Sequence, residues 1–388
     1  RNSMLKEKYS PMYFLGALGA GGLSASFYMY LMFLVPHDGT PMATFDQIFP
    51  VLLKGDWLSF ISAFSIVFIA AFAFLHFKLL FWNIKEYKAF KETKAFDTLV
   101  NSNAEVTLMA IPLTFTMTIN IFFILGATFV PNLWSVIEFM FPFALIGFAV
   151  TGYYAIKIFM VYFSRLITTG DFDFTKNNNL SQMVSIFAFS MVAVGFAAPG
   201  AMSGYVEINA IGIFCAIFFA AISILLLTIK LILGFKGMFE HGISIEASPS
   251  MWIIIPILTL LGIMFIRINF GFDHHFNAPL DKTSLFSLTS FVVSLQIIFG
   301  MLGYSVMKKL RYFEEYIDGD KKSPVSFALI CPGVAFMVFG MFFINMGLVL
   351  NGVIDKYSIA YFLFMLPFMF VQYKTVVYFF KLKNKFSL

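Results

Sequence analysis

Five histidines and one arginine inside an apolar run are the side chains of this 388-residue chain with the most chemistry to offer. His37 follows the first long apolar run, and His274 and His275 follow the seventh; His76 lies within the second run and His241 just past the sixth. Neutral imidazole facing an apolar slot is the usual axial ligand of b-type haem, so His37, His76, His274 and His275 are candidate ligands of haem iron. Their division between the two ends of the runs would suit two haems. The competing reading is histidine at home among lipid headgroups, to which His241 is assigned. His76 stands apart, because it sits roughly 10 Å inside its run at ~1.5 Å per residue, a depth at which an ionisable group is functional by default.

Arg267 lies in the outer half of the seventh run. Its forked donors could hold a haem propionate or attract a permeating anion; alternatively the side chain snorkels to the surface or pairs with Asp273. Asn120, Asn269 and Asn345 fall in the outer halves of the third, seventh and ninth runs. They either line one polar chamber with Arg267 or hydrogen-bond helix to helix. The two cysteines, Cys215 and Cys331, sit inside apolar runs, which points to neither a disulfide framework nor a zinc site and is met by simple packing. Cys331, beside Pro332, is the more suggestive as a redox thiol. The glycines from Gly19 to Gly22 lack the lysine-serine ending of a phosphate loop, and no paired carboxylates or Ser/His/Asp set falls within the runs, so hydrolase machinery has no visible basis.

The elements that must position these residues are membrane helices. Hydrophobic residues make up 60 % of the chain and charged residues 12 %, with a mean hydropathy of +0.86, whereas a soluble domain of this size needs a charged surface. Each run has the ~20 residues an α-helix needs to cross ~30 Å of hydrocarbon, and none alternates as the strands of a closed barrel do. The fold class is an all-α integral membrane protein in one domain, 1–388. Spans are expected at about 11–35, 57–83, 106–130, 134–164, 181–205, 208–236, 248–270, 284–307, 324–350 and 357–380. The first is long enough to be retained structure rather than a signal peptide. Residues 84–104 read as an amphipathic helix on the inner face. With the N-terminus inside, Lys54, Arg267, Lys282 and Lys356 are the exceptions among 26 basic residues, Arg1 included, that otherwise fall on the inner side. The positive-inside rule then makes both termini cytoplasmic, in a cell (inner) membrane, and the net charge of +5 points to headgroups, with no nucleic-acid partner implied.

Odd and even runs differ. Ser10-Pro11, Ser248-Pro249 and Ser323-Pro324 open three odd runs, which also carry Gly16, Gly19, Gly22, Pro112, Pro199, Pro256, Pro332 and Gly340. Proline bends a helix and frees a carbonyl that only protein or a cavity can cover in a membrane, so odd helices are expected at the centre. Even runs end in aromatic-basic tails such as Phe77-Lys78 and Tyr304…Lys308-Lys309, which anchor in headgroups, so they are expected outside. Five tandem helical hairpins result, odd helices inside and even helices outside.

That architecture resembles the TehA-like superfamily of tellurite-resistance and C4-dicarboxylate transporters and slow anion channels. The resemblance covers nearly the whole chain. It implies a pore plugged by an aromatic side chain on a central helix, for which Phe336 and Phe339 after Pro332 are the matching residues, and assembly as a homo-oligomer, a trimer by analogy, although phenylalanine-rich even helices would equally serve a dimer. More narrowly, Tyr9-Ser10-Pro11-Met12-Tyr13-Phe14, Gly21-Gly22-Leu23 and Met29-Tyr30-Leu31-Met32-Phe33 with Pro36-His37 are similar to the TsoY group, some of whose members are selenoproteins and with which b-type haem is associated. This chain has cysteine and no selenocysteine.

Two functions stay open. In the first, favoured reading, the bundle holds haem b through some of His37, His76, His274 and His275, with Arg267 near propionates, and moves electrons or senses redox state with an unidentified redox partner. In the second, the odd helices surround a path for a small anion such as chloride, nitrate, a dicarboxylate or an oxyanion, with Arg267 as attractor, Asn120, Asn269 and Asn345 lining the path, and Phe336 or Phe339 as gate.

Overall fold

The computed structural model describes residues 4–177 and 179–388; Arg1 lies outside them. The chain is helical throughout: α1 (Phe14–Leu34), α2 (Phe45–Leu52), α3 (Trp57–Phe90), α4 (Lys94–Val100), α5 (Ala110–Phe129), α6 (Leu133–Thr169), α7 (Val184–Met202), α8 (Val206–His241), α9 (Ile254–His275), α10 (Lys282–Lys309), α11 (Ile330–Phe342, prolonged as a π-helix over Phe343–Val349) and α12 (Ile359–Lys385). All but α2 and α4, counted with the turns continuous with them, are long and apolar enough to cross a membrane. This is a multi-pass membrane protein.

The ten spans fall into two classes by burial. In α1, α5, α7, α9 and α11 from 50 to 94 % of the most apolar stretch is buried inside the protein, against 28 to 39 % in α3, α6, α8, α10 and α12. The buried five touch in the order α1, α5, α7, α9, α11 and back to α1, which closes a ring. Each ring helix also packs on the span that follows it, α1 on α3, α5 on α6, α7 on α8, α9 on α10 and α11 on α12.

Every ring helix is entered through a 3-10 turn: Pro11–Tyr13, Asn103–Met109, Ser181–Met183, Ser248–Trp252 and Pro324–Leu329. In three of them the cause is local. Pro112, Pro256 and Pro332 are each the third residue of their α-helix. A proline ring clashes with the carbonyl four residues back, so the preceding backbone tightens to i+3 bonding. Expected as mid-helix kinks, these three prolines stand at a junction, whereas Pro199 of the ring helix α7 and Pro142 and Pro367 of the flanking helices α6 and α12 lie in helix interiors. Ser10 and Ser323 cap their turns, accepting from Met12 N–H and Val325 N–H at 3.2 Å each. Ser248 does not act as a cap: it is the first residue of its turn, and its hydroxyl donates to Ile245 O at 2.6 Å. The 3-10 turns of α1, α5, α9 and α11 touch one another in pairs, so the N-terminal ends of the ring helices gather at one end of the molecule.

Residues 84–104 are not one surface helix. The first part continues α3 to Phe90, a turn follows, and Thr93 then accepts from Phe96 N–H at 3.3 Å to start α4. A hydroxyl that satisfies a first-turn N–H stops one helix and begins another.

Candidate functional site

The interior of the ring is marked by a small cavity of about 10 Å³ lined by Leu15, Val184, Phe187, Ile253, Pro256, Ala328, Cys331 and Pro332. Leu15 belongs to α1 and Phe187 to α7, helices across the ring from one another, so the space they share lies on the ring axis. It sits at the end where the 3-10 turns gather. Its lining is apolar except for the Cys331 thiol, and its size is about one water molecule. At this level the axis is closed.

Arg267 belongs to the same axial face. It is eleven residues beyond Pro256, three turns of helix, which puts it ~16 Å further along the axis toward the C-terminal ends of the ring helices. The side chain is half-buried and donates one N–H to Val194 O of α7 at 2.8 Å. Val194 is itself two turns from the cavity-lining Phe187, again on one face. Among the described residues no carboxylate lies within 4.0 Å of the guanidinium; the expected alternative of pairing with Asp273 is not found. Four of its five N–H donors are left for a ligand or water.

The three asparagines do not gather around it. Asn120 reaches α7 near Arg267, its Nδ2 at 3.5 Å from the Met191 sulfur. Asn269 is exposed and donates to Phe265 O of its own helix, being two residues and so about 200° around from Arg267. Asn345 accepts the Tyr361 hydroxyl of α12 at 2.8 Å. Neither proposed gate lines the axial cavity. Phe336 turns to Phe368 of α12, ring centroids 4.9 Å apart, and Phe339 is fully buried over Gly262 of α9.

The histidines are engaged or scattered. His76 is sealed from solvent, with Nδ1 2.7 Å from Ala17 O on α1 and Nε2 2.9 Å from Thr118 Oγ1 on α5. A carbonyl only accepts, so Nδ1 carries the proton and donates to it, while Nε2 stands against a Thr118 hydroxyl whose single proton also has Thr114 O as acceptor at 3.1 Å. His76 therefore ties α3 to two ring helices. His37 sits in the loop after α1 with Nδ1 2.8 Å from Val35 O. His274 and His275 end α9, their rings 4.3 Å apart, and His275 Nε2 lies 2.8 Å from Ser203 O. Among the described residues no group of three His, Cys, Asp or Glu side chains could hold a metal ion. His76 has both ring nitrogens within hydrogen-bond distance of protein atoms, and the axial space holds about one water. Cys331 lines the axial cavity, while Cys215 is half-buried on α8.

The cavity-lining Leu15, Val184 and Phe187 are functional candidates that sequence reasoning passed over. In a chain with 54 phenylalanines their type carries no signal; only their helical phase relative to Pro256 and Arg267 could have found them. No family model matches the chain, and no curated protein or solved structure does either.

Proposed function

We propose that this protein is a path for a small anion across the membrane, built as five tandem hairpins with the ring helices inside, the flanking helices against lipid and both termini cytoplasmic. The single observation that carries the reading is Arg267, a guanidinium on the axial face with one protein hydrogen bond and no carboxylate partner. A cation at membrane depth is costly unless it is matched, and an anion drawn into the ring matches it. On this reading Arg267 attracts the ion from the outer side. The apolar collar of Leu15, Val184, Phe187 and Pro256 closes the path toward the cytoplasmic side, and the resemblance to TehA-like proteins points the same way. Two homo-oligomer states suit the lipid-facing helices, dimer and trimer.

The test is flux of chloride or nitrate into liposomes that hold the full chain, with and without Arg267→Gln. Removing a charge met at ~4 Å in a partly wet site lowers anion entry about tenfold, the lower end of the Coulomb range because the side chain is partly exposed. Equal flux and equal anion preference in the two proteins overturns the proposal. So does a stoichiometric Soret band in the purified wild type, which restores the haem reading.

A further inference from the structure

Lys230 of α8 is a second unmatched cation, and it faces α6 rather than the ring. Its residue is 8 % exposed, and its Nζ stands 4.9 Å from the ring centre of Phe163 on α6 and 5.0 Å from that of Phe172 in the segment after α6. Two π-faces attract an ammonium but leave its three N–H donors without a true acceptor. The nearby carboxylates are engaged elsewhere. Asp171 is 2.6 Å from Arg165, Glu105 is 3.7 Å from the same guanidinium, and Asp173 accepts from Thr175 and from Lys176 N–H. Among the described residues no carboxylate comes within 4.0 Å of Lys230.

Depth and surroundings say what the missing partner is. Gly234, one turn further on, packs against Leu180, just before the 3-10 turn that leads into α7. Lys230 therefore lies at the level where the chain enters the apolar layer, which is headgroup depth. Beside it the surface is apolar and open, with Met160 of α6 and Ile229 of α8 exposed. We propose that Lys230 binds the phosphate of an anionic phospholipid whose chains lie along α6 and α8, the two rings holding the ammonium in place. This site is independent of the anion path.

The experiment uses the full chain in lipid nanodiscs, scoring by native mass spectrometry the retention of phosphatidylglycerol against phosphatidylcholine. Wild type is expected to prefer the anionic lipid roughly fivefold on account of this one basic residue, and Lys230→Gln to lose the preference. Lys230→Arg and Lys236→Gln, the latter at an exposed lysine on the same helix, are expected to keep it. Lys230→Met retains the stem between the rings and gives the same reading if glutamine impairs folding. An undiminished preference in Lys230→Gln or Lys230→Met overturns the proposal. Full displacement of the lipid by millimolar inorganic phosphate also overturns it, since the site would then serve a free ion.

Discussion

Replacing His76 by alanine separates a structural tie from a cofactor ligand. The imidazole is fully buried, and it bonds Ala17 O at 2.7 Å and Thr118 Oγ1 at 2.9 Å, so the substitution removes links from α3 to both α1 and α5. Hydrogen bonds between membrane helices average about 0.6 kcal/mol each, because the unfolded chain in lipid also finds partners. The void adds more: a buried aromatic truncated to alanine costs about 3–5 kcal/mol, and the smaller imidazole about 2. Together the loss comes to about 3 kcal/mol, read as the midpoint shift of equilibrium unfolding in mixed micelles. Gly21 supplies an internal check, since a Cβ there would stand 2.9 Å from His76 Nδ1 and 2.7 Å from Met117 Cγ. Gly21→Ala is expected to destabilise wild type, and to cost less in the His76→Ala background, where one of the two collisions is gone. A His76→Ala protein as stable as wild type, or one that loses a bound coloured group while keeping its stability, refutes the tie.

Three further outcomes follow from the geometry. Phe187→Ala in the axial collar opens space for about three waters where there is now about one, and is expected to raise basal anion flux; unchanged flux in folded protein removes Phe187 from the closure. Phe336→Ala, at a side chain turned to Phe368, is expected to leave flux unchanged, and a large increase would restore the aromatic-plug assignment. Asp281 caps α10, accepting from the side chains and backbone N–H groups of Thr283 and Ser284, which lowers its carboxyl from the ordinary 3.8 to about 2. A pKa lower in the folded state contributes stability that is full above the ordinary value and lost as pH falls toward 2. Asp281→Asn should therefore flatten the acid limb of the stability profile between these values, and an unaltered limb would remove the cap from the account.

What could be read from the sequence was decided by length and by caps. Ten apolar runs long enough to span are fixed by composition alone, and Ser10-Pro11 and Ser323-Pro324 mark starts because a serine hydroxyl and a first-turn proline each suit that position. Direction around each helix was not legible. A ring helix buried on nearly every side has no amphipathic face, so neither α1 nor α7 announces which residues point to the axis. His76 shows a related limit, since depth in the membrane flags a polar group as important without distinguishing a tie from a ligand. The asparagines show what could have been recovered: Asn269 lies too close in sequence to Arg267 to share its face, a conclusion that needs only 100° per residue. Asn345 could not be placed that way, because its partner Tyr361 comes from a different helix.

The placement of closure follows from where the charge is. On the proposed reading, an anion held at Arg267 must travel ~16 Å to the level of Pro256, leaving that cation for a space lined by side chains that offer no N–H donor. With room for about one water it cannot carry its hydration shell through, so on that reading the arrangement is a shut state rather than a narrow open one. On that reading, opening requires the ring to widen at this end. It is the end where all five ring helices are joined to the preceding chain by 3-10 turns, whose hydrogen bonds are poorer than those of the α-helices they precede. The flanking helices α3, α10 and α12 instead start at the other end, from Asp56, Asp281 and Ser358 caps that hold their first turns. On the proposed reading, a shut collar at the end of the 3-10 turns and a cation toward the opposite end give the path its direction.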